Sequence, residues 1–183
     1  GWESVKGLEV VYFVTDREKG AGKNDIWYFT YNPRKKTYSV PRTAGNKINT
    51  PGNEMSPYYD METKSLYFSS DGLPGIGGLD IFRSRGELKK FTPAENLTSP
   101  INSTYDDLFF TISRDRKSGM LTSNRREANQ KGKSTCCDDI YEFKRLEFIE
   151  LKLKGNVKGG PDTLATIALK NSKIDIYVID ERE

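Results

Sequence analysis

The stretch Leu66-Tyr67-Phe68-Ser69-Ser70-Asp71-Gly72, followed by Gly75 and then Gly77-Gly78-Leu79-Asp80-Ile81-Phe82, decides the fold because the chain repeats its plan three times. Upstream, Tyr12-Phe13-Val14-Thr15-Asp16-Arg17 leads through glycines to Asn24-Asp25-Ile26-Trp27. Downstream, Met120-Leu121-Thr122-Ser123-Asn124-Arg125 leads through a polar stretch with Gly132 to Asp138-Asp139-Ile140-Tyr141. Each copy reads as a strand, a polar turn and a second strand opened by Asp-Ile-aromatic. A hairpin recurring at about fifty residues signals a β-propeller, in which one four-stranded sheet is repeated around an axis.

Other landmarks set the period. Ile48-Asn49-Thr50 precedes the second copy and Ile101-Asn102-Ser103 the third, 53 residues later, the spacing that also separates Tyr67 from Met120. Asp25 and Asp80 stand 55 apart, and Asp80 and Asp139 stand 59 apart. The surplus falls in the polar segment 126–135, where a turn tolerates insertion. Within the central unit, strands are expected at 54–59, 65–70 and 79–85, with a weak outer strand near Lys90. Turns are expected at 60–64 and 71–78. Alternation puts Leu66, Phe68 and Ser70 on one face and Tyr67 and Ser69 on the other. The small Ser69 and Ser70 would let neighbouring sheets approach closely. Pro51, Pro57, Pro93 and Pro100 are expected between strands or at their first residues, where a missing N–H costs least.

Three units fall short of the four to eight blades that close a ring, so the chain is expected to be a section of a longer polypeptide. After Arg145 the pattern changes. Leu151-Lys152-Leu153-Lys154-Gly155-Asn156-Val157 alternates, Gly159-Gly160-Pro161 interrupts, and Ile174-Asp175-Ile176-Tyr177-Val178-Ile179 reads as another strand. The expected fold is therefore all-β. Residues 1–146 form a partial propeller of about three four-stranded blades, and 147–183 are the opening strands of a small β-sandwich.

Composition narrows the chemistry. The 183 residues carry 29 basic and 26 acidic side chains, a net charge of +3 that gives little pull towards nucleic acid or an anionic membrane. Ten Tyr, nine Phe and two Trp suit strands with buried faces rather than disorder. No apolar run approaches the roughly 20 residues of a membrane span. There is no histidine, which removes Ser-His and Cys-His catalysis and His-ligated zinc. The only cysteines are the adjacent Cys136 and Cys137. They are open to a vicinal disulfide, a bond to another chain, or the reduced state.

The segments Leu66 to Gly72, Gly77 to Phe82, Ile101-Asn102-Ser103 and Cys136-Cys137-Asp138-Asp139-Ile140-Tyr141 together resemble the PD40 (WD40-like, TolB-type) propeller of bacterial envelope proteins. Members of that group carry an OmpA-type peptidoglycan-binding domain further along, and some belong to the type IX secretion system. The resemblance spans roughly residues 7–146 and is weak beyond. It implies a periplasmic, outer-membrane-associated protein, with a lipoprotein anchor and peptidoglycan-binding domain lying outside this chain. It also implies a carboxypeptidase-regulatory-like sandwich after the propeller, loosely matched by Lys154-Gly155-Asn156-Val157.

Several constellations invite a chemical reading. Asp71-Gly72 with Gly75, Gly77, Gly78 and Asp80 has the hard oxygens and permissive turns of a calcium loop. A structural reading is preferred, because the same aspartate (Asp25, Asp80, Asp139) opens a strand in every copy and can bind turn N–H groups. Ser69-Ser70-Asp71-Gly72 is misspaced for a sialidase Asp-box. Redox pairs favour Cys-x-x-Cys at a helix start, and Asp138 and Asp139 would raise the thiol pKa of the adjacent cysteines, so a structural role is expected for Cys136 and Cys137. The basic residues 114–117, Arg125, Arg126, Lys131 and Lys133 read as a solvated turn surface. Asp162-Thr163-Leu164 fits a short O-glycosylation pattern and equally an ordinary loop. Trp27, Tyr58 and Tyr59 are expected to fill the space between blades.

The resulting expectation is a non-catalytic scaffold that needs no cofactor or metal and binds other envelope or secretion-complex proteins. The expected structural motif comprises Asp25, Asp80, Asp139, Gly72, Gly77, Gly78, Asn49 and Asn102. A glycan- or peptidoglycan-binding propeller is the alternative, with a glycoside hydrolase behind it.

Overall fold

The computed structural model describes residues 2–5, 7–125, 138–145, 158–159 and 167–168. The chain divides into two compact units, Gly1–Glu147 and Phe148–Glu183. The described residues are all strand, turn and connection, without a helix.

The first unit holds three antiparallel sheets in chain order, none of them closed. Sheet one contains β1 (Trp2–Val5), β2 (Leu8–Thr15), β3 (Asp25–Asn32), β4 (Thr37–Tyr38) and β5 (Arg42–Thr43). It runs β1-β2-β3-β4, and β5 also pairs with β3. Sheet two repeats the plan with β6 (Glu54–Asp60), β7 (Ser65–Ser70), β8 (Asp80–Glu87), β9 (Lys90–Phe91) and β10 (Glu95–Asn96). Both β9 and β10 pair with β8, so the single outer strand expected near Lys90 is two short ones. Sheet three is β11 (Asp107–Ile112), β12 (Ser118–Ser123) and β13 (Asp139–Lys144). In the second unit β14 (Lys158–Gly159) pairs with β15 (Ile167–Ala168). The strand expected at 174–179 and both cysteines lie outside the described residues.

Aromatic and β-branched side chains make these segments strands because they pack well on a pleated surface. In sheet two the period-two alternation becomes two buried faces. Leu66, Phe68 and Phe82 join Val10, Tyr12, Ile26 and Tyr28 of sheet one in one core cluster. Tyr67 and Ile81 point the other way and pack with Phe110 and Leu121 of sheet three. Ser69 and Ser70 are fully covered. The central sheet is thus the shared wall of two cores.

One expectation is corrected. Pro57 lies inside β6, not at its start. The pairing of β6 with β7 shifts register between Met55 and Tyr58, and the preceding Ser56 has φ 51°. A bulge leaves a residue out of the ladder, so a proline there forfeits no hydrogen bond. The bulge recurs in β11, where Phe109, 53 residues on, has φ 50°.

Candidate functional site

The repeated landmarks converge on the seams between sheets. Asn102 sits in the connection from sheet two to sheet three and behaves like an extra strand residue. Its Oδ1 accepts the Ile81 N–H at 2.8 Å, while its Nδ2 donates to the Ile81 carbonyl at 2.9 Å and to Asn96 Oδ1 at 2.8 Å. Asn49 does the same one unit earlier, accepting from and donating to Ile26 at 2.9 Å and donating to Thr43 Oγ1 at 3.0 Å. Each asparagine therefore pins a connection to the isoleucine of Asp-Ile-aromatic in the preceding sheet.

The aspartates gather their own turns. Asp25 Oδ2 accepts the N–H groups of Ala21 (2.7 Å) and Gly22 (3.3 Å), and Asp80 Oδ2 those of Ile76 (2.5 Å) and Gly77 (3.3 Å). Asp139 opens β13 and is exposed, and the turn before it lies outside the described residues. Asp71 is engaged elsewhere, its carboxylate accepting from Asn53 N–H at 2.6 Å and from Asn53 Nδ2 at 2.7 Å. Among the described residues no three His, Cys, Asp or Glu side chains come together as metal ligands. The glycines allow close approach. A Cβ on Gly72 would overlap the Thr50 side chain, one on Gly77 the carbonyls of Ser103 and Tyr105, and one on Gly78 the Asp106 carboxylate.

Two buried acids escaped the sequence reading, and two arginines that it assigned to a solvated turn surface are engaged instead. Glu54 and Asp107, 53 residues apart, open β6 and β11 and are wholly buried. Glu54 accepts the Thr50 N–H (2.9 Å), the Thr50 hydroxyl (2.6 Å) and the Ser70 hydroxyl (3.0 Å). Burial pushes its carboxyl above the usual range despite these bonds, and the Asp25 charge pushes the same way. Asp107 accepts the equivalent bonds from Ser103, and in addition a guanidinium bond from Arg125 at 2.5 Å. Arg125 also donates to the carbonyls of Ile101 (2.6 Å) and Pro100 (3.1 Å) and lies over the Tyr141 ring. It therefore ties the end of β12 to β11 and to the connection from sheet two, rather than lying in a solvated turn. Arg116 is the tie between sheets, reaching across to Asp60 (2.9 Å) and Glu62 (3.2 Å) of sheet two. The 53-residue spacing of Glu54 and Asp107, each four residues after a hydroxyl side chain, was the signal available for finding them.

Two grooves flank the second seam. One of about 520 Å³ is lined by Tyr58, Tyr59, Asp60, Glu62, Ile112 and Arg116. Burial raises the Asp60 carboxyl, but the Thr63 hydroxyl and Arg116 outweigh it and hold the group below its ordinary value. Burial, then the Asp60 charge, pushes the Tyr58 hydroxyl up. The other groove, about 400 Å³, is lined by Tyr67, Arg83, Leu97, Ile101, Phe110 and Phe143. Trp27 and Tyr59 are buried, and Tyr58 is half-buried with its hydroxyl 3.4 Å from the Ile112 carbonyl. The chain matches no family model, no curated protein and no solved structure.

Proposed function

We propose that residues 1–146 are part of a β-propeller that acts as a non-catalytic scaffold. It would bind protein partners in a periplasmic complex associated with the outer membrane. The observation that carries this reading is the double coverage of the central sheet, whose two faces are buried by its neighbours in the same sense. Stacked repeats of this kind give a rigid body whose loops and edges are available for docking. The site chemistry is consistent with it. The buried acids Asp25, Glu54, Asp80 and Asp107 are engaged by turn N–H groups, hydroxyls or a guanidinium, so they hold connections in place. Contact with peptidoglycan would come through a domain not in this chain, and 147–183 would open a small sandwich.

Affinity capture from the native envelope with this chain as bait tests the scaffold reading. Recovery of outer-membrane secretion or envelope proteins supports it, and a capture indistinguishable from bare resin defeats it. The Tyr58, Asp60 and Glu62 groove favours a glycan as the second reading, because tyrosine beside carboxylates suits sugar rings and hydroxyls. Saturable binding of purified muropeptides by this chain alone, abolished by Tyr58→Ala, would move the function to that reading.

A further inference from the structure

The two described seams differ in charge at one repeat position. By the 55-residue spacing, Arg83 of β8 stands where β3 has Tyr28. Tyr28 is buried in the cluster between sheets one and two, its ring 6.1 Å from that of Tyr12. Arg83 instead lines the groove of about 400 Å³ beside the second seam. Its Nη2 donates to Glu95 at 2.5 Å, which fixes the guanidinium in place. An apolar filler in one seam is thus a cation in the other.

Lys144 and Arg145, at and just beyond the end of β13, line the same groove. Both are exposed, and among the described residues neither has a carboxylate partner. The described lining therefore holds these three cations and no acid. The rest of it is aromatic or aliphatic. Tyr67, Phe110 and Phe143 form a run of rings with centroids 4.9 and 5.1 Å apart. Leu97, Ile101 and Phe143 are only partly buried against the cluster, so they offer apolar area to solvent.

The two kinds of lining have different effects on a ligand. Apolar area gives affinity without choosing what binds, whereas unpaired cations beside it favour a carboxylate and repel a basic segment. These cations come from two sheets and border one small hollow. They do not form the long basic track that follows a nucleic-acid backbone. We propose that this groove binds a short acidic segment of a protein partner. An aliphatic or aromatic side chain of that segment rests on Leu97, Ile101 and Phe143, and its flanking carboxylates reach Lys144 and Arg145. The proposal rests on the reading of this chain as a protein-binding module and names the chemistry of what it binds.

Selection from a random short-peptide library displayed on phage, with the intact chain as target, tests this. Peptides with Asp or Glu on either side of Leu, Ile or Phe are expected to be enriched. The synthetic consensus peptide should bind saturably in fluorescence anisotropy, and more weakly as salt rises. Lys144→Glu with Arg145→Glu should weaken it about tenfold while the far-UV spectrum stays native. Arg145→Gln alone should weaken it less, and it serves if the double variant unfolds. No enrichment, a basic or uncharged consensus, or unchanged affinity in the variants would each overturn the proposal. Pelleting of the chain with phosphatidylglycerol vesicles, lost in the same variants and without any enriched peptide, would give the groove to an anionic lipid instead. In the envelope capture, a double variant that recovers the same proteins as the wild type would also overturn it, yet leave the scaffold reading standing. Recovery of nothing by either chain defeats the scaffold reading, and the library result then decides the groove by itself.

Discussion

Glu54 and Asp107 occupy the same step of the repeat, yet they are buried by different means. Both accept a backbone N–H and a hydroxyl from the residue four positions earlier. Beyond that, Asp107 has a guanidinium, whereas Glu54 has only the Ser70 hydroxyl, because Gly72 stands where the third copy has Arg125. A buried carboxylate paired with a cation gains their attraction at the cost of desolvating two ions. One with no cation beside it is biased by burial towards its protonated form, against the pull of the hydroxyls that hold it. Near-identical backbones thus give one seam that depends on an ion pair and another that depends on close packing around a glycine.

The sharpest way to break the comparison is Arg125→Ala, which leaves Asp107 buried without its cation. A loss of about 3–5 kcal/mol of unfolding free energy in urea is expected. A loss no larger than that of an exposed lysine would mean the pair is inert. Next come Asn102→Ala and Asn49→Ala, each of which strips a buried isoleucine N–H of its acceptor and the same residue's carbonyl of one of its two donors. Roughly 2–3 kcal/mol apiece is expected, and similar values at the two sites would show that the asparagine clasp is common to both seams. Gly72→Ala should cost about 1–3 kcal/mol through overlap with Thr50, and an unchanged melting temperature would refute that close approach.

The smallest effect is the pH response. The Glu54 carboxyl is raised in the fold, so its stabilising contribution is fully present below its ordinary value of 4.5 and is lost as pH climbs through the raised value. Glu54→Gln should therefore flatten the decline of melting temperature on that interval. Asp60 acts in the opposite sense. Its contribution is present above 3.8 and disappears as pH falls through its lowered value, so Arg116→Ala should shift acid unfolding to higher pH. Parallel pH curves for wild type and both variants would sink this pair of predictions.

Much of this architecture was legible beforehand for local reasons. Hydrophobic alternation over 65–70 sorts Leu66 and Phe68 from Tyr67 without knowledge of any partner. Asp25 and Asp80 mark the first residues of β3 and β8 because the turn before each strand needs an acceptor, and Asp139 likewise stands first in β13. The double role of Asn49 and Asn102 was visible only as a spacing, since an asparagine bridging a backbone N–H and C=O is a matter of three-dimensional position. Pro57 was misplaced because a bulge depends on pairing with a second strand. Arg125 and Arg116 looked like surface cations because their partners lie 18 and 56 residues away.

The order of residues alone determined the strands, the turns and the period, since these follow from side-chain alternation and turn chemistry within a few positions. Tertiary structure decided what each element touches. Leu88 N–H reaches the Tyr12 hydroxyl across 76 residues, and Tyr12 stacks on Tyr59 at 5.4 Å. Contacts of that reach depend on how whole sheets stack. The same stacking turns equivalent positions such as Glu54 and Asp107 into chemically different sites.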